Sequence, residues 1–171
     1  MKFAKPVLIA VALLAIAGAL AYALIDKPDA PASRFTTLEG KSITLDELRG
    51  KVVLVNFWAT SCPGCIKKMP DMVETYRQYK DRGFEVIAVA MSYDPPAYVA
   101  NFVQTRQLPF PVVLDTDGAH ARAFGKLQPK PEDIRLTPTT FVIDKNGRVI
   151  LYKLGDFDFV KLQALLDKEL S

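Results

Sequence analysis

Histidine and cysteine are nearly missing from this chain: its 171 residues hold one His and two Cys. Two thiols cannot build a disulfide framework or a four-ligand zinc site. One His excludes a His-rich metal centre, and tryptophan also occurs once. No block of Lys and Arg reaches the length of a nucleic-acid arm. The net charge is only +3 with both signs interspersed, so DNA or RNA binding has no support. Nine Gly and twelve Pro follow no period, which removes the collagen-like and low-complexity classes. What the chain has in quantity is apolar content, 50% against 24% charged. At this length that permits one packed domain with a tail.

The tail is legible. Residues 6–25 (PVLIAVALLAIAGALAYALI) carry no charge. As a helix rising about 1.5 Å per residue they would span roughly 30 Å, the thickness of a bilayer core. Lys2 and Lys5 precede the run, which places the N-terminus on the cytoplasmic side and the remainder outside the cytoplasm. Two readings stay open: a retained signal anchor, favoured by the length, or a signal peptide cleaved near Ala21 or Ala23. In a bacterium this means single-pass attachment to the inner membrane with a periplasmic domain, or a soluble periplasmic protein. Residues 26–34 (DKPDAPASR) read as a polar tether, and residues 35–171 as the domain.

Within the domain, hydrophobic periodicity predicts most elements. Phe35–Gly50 reads as a hairpin-like stretch around Glu39-Gly40, then a short helix begun by the Thr44/Glu47 capping box. Val52–Trp58 is a near-continuous apolar run that suits a strand buried on both faces, and Phe84–Met91 reads as another. Pro63 to about Arg82 reads as a helix kinked at Pro70. Helix, short strand and short helix follow over Pro96–Gln107, Phe110–Leu114 and Gly118–Phe124. Thr139–Asp144 and Arg148–Lys153 flank Asn146-Gly147, a hairpin signal. Phe159–Leu170 closes as an amphipathic helix with Val160, Leu162, Leu165 and Leu166 inward. The order implies an α/β domain with parallel strands and one antiparallel pair.

Both cysteines lie in Cys62-Pro63-Gly64-Cys65, between a buried strand and a helix. Unpaired N–H groups at a helix N-terminus favour negative charge, so a thiol at Cys62 is more acidic than a free one. Cys65, one turn on, can attack a mixed disulfide formed at Cys62. An inert structural disulfide is the competing reading, but so short a ring constrains the unfolded chain little. Ile66 after Cys65 excludes c-type haem attachment.

Phe57-Trp58-Ala59-Thr60-Ser61-Cys62-Pro63-Gly64-Cys65 resembles the active-site segment of the thioredoxin superfamily. The apolar N-terminus, the early extension and Thr137-Pro138-Thr139-Thr140-Phe141 resemble its TlpA/ResA-like branch. The resemblance implies a thioredoxin fold, a central mixed sheet with helices on both faces, with an N-terminal β-hairpin/short-helix extension. It implies that Cys62 is the nucleophile, Cys65 the resolving cysteine and Pro138 cis. Thr137 and Pro138 then bind substrate backbone by strand addition. It implies a protein-disulfide reductase, for instance in cytochrome c or copper-centre maturation. Substrate proteins with disulfides and a membrane thiol donor of the DsbD or CcdA type are the implied partners. The redox group is the cysteine pair itself, with no cofactor or metal, and a monomer is expected.

Trp58 is expected beside the active-site turn, shaping the docking surface or filling the core. Asn56 stands where cytoplasmic thioredoxins keep a buried Asp, so it cannot take the Cys65 proton. Asp94 is a weak candidate for that role, against the reading of a solvated loop acid. Lys67 and Lys68 lie within two turns of Cys62 and either help to stabilise its thiolate or form a solvated face, and His120 reads as a surface residue. Lys126–Leu136 is long for a connector and either borders the substrate groove or is a plain insertion. Two other activities compete: a thiol peroxidase, for which Thr60 stands one residue too near Cys62, and a copper-handling protein of the Sco type, for which His120 is the one available imidazole.

Overall fold

The computed structural model describes residues 27–171. The anchor or signal peptide at 6–25 lies outside them, and among the described residues no helix is long and apolar enough to cross a membrane. The elements in order are β1 (Arg34–Thr36), β2 (Ser42–Thr44), β3 (Val52–Trp58), α1 (Pro63–Tyr79), β4 (Phe84–Ala90), α2 (Pro96–Arg106), β5 (Val112–Leu114), α3 (Ala119–Gly125), β6 (Thr139–Ile143), β7 (Val149–Leu154) and α4 (Phe159–Glu169). This is the mixed α/β thioredoxin fold with a hairpin extension. The main sheet runs β5-β4-β3-β6-β7.

β3 is central and buried at every position, as its unbroken apolar run requires. It runs parallel to β4 and antiparallel to β6. In the main sheet the expectation of one antiparallel pair is therefore corrected to two, β3/β6 and β6/β7, and β1/β2 forms a third outside it. The connection from β5 through α3 to β6 reverses the chain before the hairpin begins.

Side chains alternate across β3 and split the core in two. Val52, Leu54 and Trp58 pack with both cysteines, Met69 and Met72 of α1, Val99 of α2, and Leu162 and Leu166 of α4. Val53, Val55 and Phe57 pack on the other face with Phe124, Phe141 and Phe35. Phe35 belongs to the β1–β2 hairpin, so the extension covers a sheet face. Thr37 also bridges Val113, which closes the exposed side of β5.

Three local expectations fail for physical reasons. The Thr44/Glu47 capping box forms, with Glu47 Oε2 accepting from Thr44 N at 2.8 Å and Thr44 Oγ1 from Glu47 N at 3.2 Å. It starts only successive turns, however, which Gly50 ends at φ 87°. Val160 is 76% exposed, while Leu162 and Leu166 are buried and Leu165 packs partly against them. Val160 sits in the first turn, where Asp158 caps the helix, and points away from the sheet. The polar stretch expected as a free tether is paired from residue 28 onward. Val149 N donates to Pro28 O at 2.8 Å, and Ala30 N to Gly147 O at 2.9 Å.

Candidate active site

The end of β3 and the start of α1 place the cysteines. Met91 N donates to Trp58 O, and Cys62 N to Ala59 O, so the chain leaves the sheet in a hydrogen-bonded turn. Cys62 is the N-cap of α1, extended at φ −96° and ψ 103°, with Pro63 at the first helical position. Its Sγ accepts from Cys65 N at 3.1 Å. The sulfur thus sits where the helix dipole and a free amide both stabilise negative charge. Cys62 and Cys65 are joined as a disulfide with Cα atoms 5.3 Å apart. Cys62 is 8% exposed and Cys65 4%. Cys62 is thus the more accessible of the two.

The Thr137-Pro138 bond is cis. Pro138 packs against the cysteine turn: a Cβ built on Gly64 would stand 3.7 Å from its Cδ. Thr137 is half-buried and makes no backbone hydrogen bond among the described residues. Its N–H and C=O remain available to an extended chain laid across the disulfide.

Asp94 is 4% exposed, which corrects the reading of a solvated loop acid. Its Oδ2 accepts from Thr60 N at 2.6 Å and its Oδ1 from Thr60 Oγ1 at 2.5 Å. Both oxygens therefore hold the turn that leads into Cys62. Thr60's hydroxyl donates its proton to that carboxylate.

Of the two readings of Trp58, docking surface or core filling, the structure supports the core. Trp58 is 0% exposed and packs on Phe102 with centroids 5.3 Å apart. It forms the floor under the turn, because its β3 position faces α1 and α2. Its indole N–H is the one sealed side-chain polar atom without a partner among the described residues. Asn56, two residues earlier on the same face, donates from Nδ2 to Thr140 Oγ1 at 2.9 Å.

His120 is not a surface residue. It stacks on Phe35 with centroids 4.6 Å apart, on the sheet face opposite the disulfide. Burial pushes its imidazole below the usual value of 6.5, while Asp115 and Asp117 push it back up. The structure does not bring it to the cysteines. Lys67 is exposed as expected, but Lys68 is partly covered and bridges Asp71 and Asp156.

The Lys126–Leu136 segment is anchored. A Cβ on Gly125 would fall 2.1 Å from Glu132 O, so only glycine permits this approach. Gln128 joins Glu132 O to the Tyr152 hydroxyl, and Ile134 is buried beside α3. The segment delivers Leu136, 65% exposed, immediately before Thr137. Tyr93, also exposed, lies across it with its hydroxyl 3.5 Å from Thr137 Oγ1.

Sequence reasoning missed a repeated device. Asp94, Asp115 and Asp144 are all buried and all bind turn amides. Asp115 accepts from His120 N and Ala121 N, and Asp144 from Asn146 N and Arg148 N. The available signal was an Asp within four residues of an apolar strand's end.

Known proteins agree with this geometry. The Redoxin family pattern matches residues 26–166. The chain is 39% identical over 140 residues to the thiol-disulfide oxidoreductase ResA of Bacillus thuringiensis, covering 82% of this chain and 76% of that one. With ResA of Bacillus subtilis it shares 38% over 127 residues, 74% and 66% of the two chains. A thioredoxin-family thiol:disulfide interchange protein from Chlorobium tepidum superposes with a TM-score of 0.77 at 30% identity, covering 85% of this chain and 98% of that one. A buried dithiol at a helix N-terminus, a cis-proline beside it and these relatives lead to one assignment: the chain belongs to the Redoxin family, as a ResA-like thiol-disulfide oxidoreductase of thioredoxin fold.

Proposed function

We propose that this enzyme reduces disulfides in substrate proteins on the outer side of a bacterial inner membrane. The observation that carries the reading is Cys62, capping α1 beside the unpaired backbone of Thr137. The Cys62 thiolate attacks one sulfur of a substrate disulfide, forms a mixed disulfide and releases the first substrate thiolate. The Cys65 thiolate then attacks Cys62 Sγ. The second substrate thiolate leaves, and the Cys62–Cys65 disulfide remains. Two electrons have passed to substrate, and solvent protonates the released thiolates. A membrane dithiol donor of the DsbD or CcdA type restores the reduced pair, since the compartment is oxidising. The cysteine pair is the whole redox group. Proteins of cytochrome c or copper-centre assembly fit as substrates by kinship with ResA. Leu136 and Tyr93 offer apolar contact to residues flanking the target cysteine.

Residues 6–25 serve as the anchor in this reading. Asp26 and Lys27 alone then separate the membrane from residues paired to the β6–β7 turn. That turn lies at the start of β3 and the disulfide at its end. Seven residues at ~3.3 Å each hold the two about 20 Å apart. The site faces away from the bilayer, and donor and substrate must meet it at that height.

Equilibrating residues 26–171 with dithiothreitol and glutathione buffers tests the direction. A potential near about −270 mV supports a reductase; one near about −120 mV reverses the flow and overturns it. Spin labels at Asn146 and Ser61 of the full chain in nanodiscs test the placement. Asn146 should lie nearer the lipid, and the reverse order overturns the orientation.

A further inference from the structure

Beneath the disulfide lies a cavity of about 20 Å³, lined by Asn56, Cys65, Lys68, Pro138, Thr140 and Phe157 among others. About 10–15 Å³ suffices for one water, given two or more polar partners. Thr140 Oγ1 and Asn56 provide them. Asn56 spends its donor on Thr140, while its Oδ1 accepts no hydrogen bond among the described residues and is not sealed from water.

Lys68 is the one cation lining this cavity. It lies three residues after Cys65, on the same face of α1. Its ammonium stands 3.5 Å from Asp71 and 3.7 Å from Asp156, and its side chain is mostly covered. Both carboxylates are substantially exposed, so these pairs add little to stability. They hold in place a side chain that lines the cavity together with Cys65. A neighbouring surface groove shares Lys68 with this cavity and carries Asp71 and Glu74 on α1 and Asp156 and Asp158 before α4. These four acids disfavour a thiolate at Cys65, and Lys68 is the cation that opposes them.

We propose that Lys68 is the positioning residue for the resolving step, holding positive charge beside a cavity with room for one water so that Cys65 loses its proton and attacks Cys62. The inference rests on the oxidoreductase reading above and deepens it. A protonated Cys65 cannot attack the mixed disulfide, and Asn56 supplies no carboxylate to take its proton. The proton passes to the cavity water and from there to solvent. The electron pair stays on Cys65 Sγ, balanced by the ammonium. The Cys65–Cys62 bond then forms as the Cys62–substrate bond breaks.

Stopped-flow reaction of the reduced protein with 5,5′-dithiobis(2-nitrobenzoate) separates the steps. Cys62 releases the first coloured thiolate and Cys65 the second. In Lys68→Met the second phase should slow about tenfold at pH 7 and its pH profile move up by about one unit. Lys68→Arg should restore both, and the first phase should be unchanged in all three proteins. An unshifted second-phase profile in Lys68→Met overturns the proposal, as does an equal change in both phases. Absence of a second phase in the unaltered protein would instead sink the dithiol reading itself.

Discussion

The two ends of β3 are built with the same device and used differently. At the end near the β6–β7 turn, buried Asp144 accepts from Asn146 N and Arg148 N, each at 2.9 Å. Arg148 also pairs with its carboxylate, Gly147 supplies the positive φ, and the Pro28–Ala30 strand adds two backbone bonds. At the other end, buried Asp94 holds Thr60 in the same way. There, however, the Thr137 backbone is left unpaired at the surface beside exposed Leu136 and Tyr93, and the Trp58 indole N–H is left without a partner in the interior. Polar groups left without partners weaken a fold. Here they gather around one disulfide, whereas at the other end they are all paired.

The comparison breaks most sharply at Cys62. Cys62→Ser should lower reduction of a protein disulfide on the order of 10³-fold or more, because no second nucleophile is exposed. Thermal unfolding of the reduced protein should barely change. Cys65→Ser should retain the first attack and accumulate a mixed disulfide, visible by mass spectrometry. Turnover that survives Cys62→Ser would place the chemistry elsewhere.

The aspartates come next in size. Asp144→Ala strips two amides and an arginine of their acceptor, a loss of about 1–3 kcal/mol in urea unfolding. Disulfide reduction by the folded fraction should stay as it was. Asp94→Asn keeps size and part of the hydrogen bonding, so it should lose less stability. It loosens the Thr60 turn that aims Cys62, and activity should fall about tenfold. The opposite pattern, with activity lost at Asp144 and kept at Asp94, would erase the division between the two ends.

Much of this was legible because burial writes itself into sequence. The strands at Val52–Trp58 and Phe84–Ala90 are apolar runs broken only by Asn56 and Glu85, and hydrophobic patterning finds them almost to the residue. Cys62-Pro63-Gly64-Cys65 needed no tertiary knowledge, since a thiol before a helix-starting proline is a local pattern. What stayed hidden depends on contacts distant in sequence. Asp94 reads as a polar loop residue until Thr60, 34 positions earlier, is folded against it. Pro28–Ala30 looks like a tether because its composition is polar, yet its backbone pairs with a turn about 120 residues later. For Trp58 the sequence leaves docking surface and core both open, because it gives the strand's alternation and not which face carries α1 and α2.

His120 gives the smallest effect and tests the closed face of the sheet. Its ring lies on Phe35, and burial holds its folded-state affinity for protons below the ordinary 6.5, with Asp115 and Asp117 opposing in part. Between the lowered folded value and 6.5 the unfolded chain binds more protons than the folded one, so stability rises with pH there. The contribution is complete above about 6.5 and is lost as the pH falls below it. His120→Phe keeps an aromatic ring against Phe35 and removes the titration. Urea midpoints for the two proteins should therefore run together above pH 7. Below about 6.5 the unaltered chain should fall away from the variant. Parallel curves down to pH 5 would mean that the imidazole is as free in the folded protein as in water, and that the stack on Phe35 does not exclude solvent.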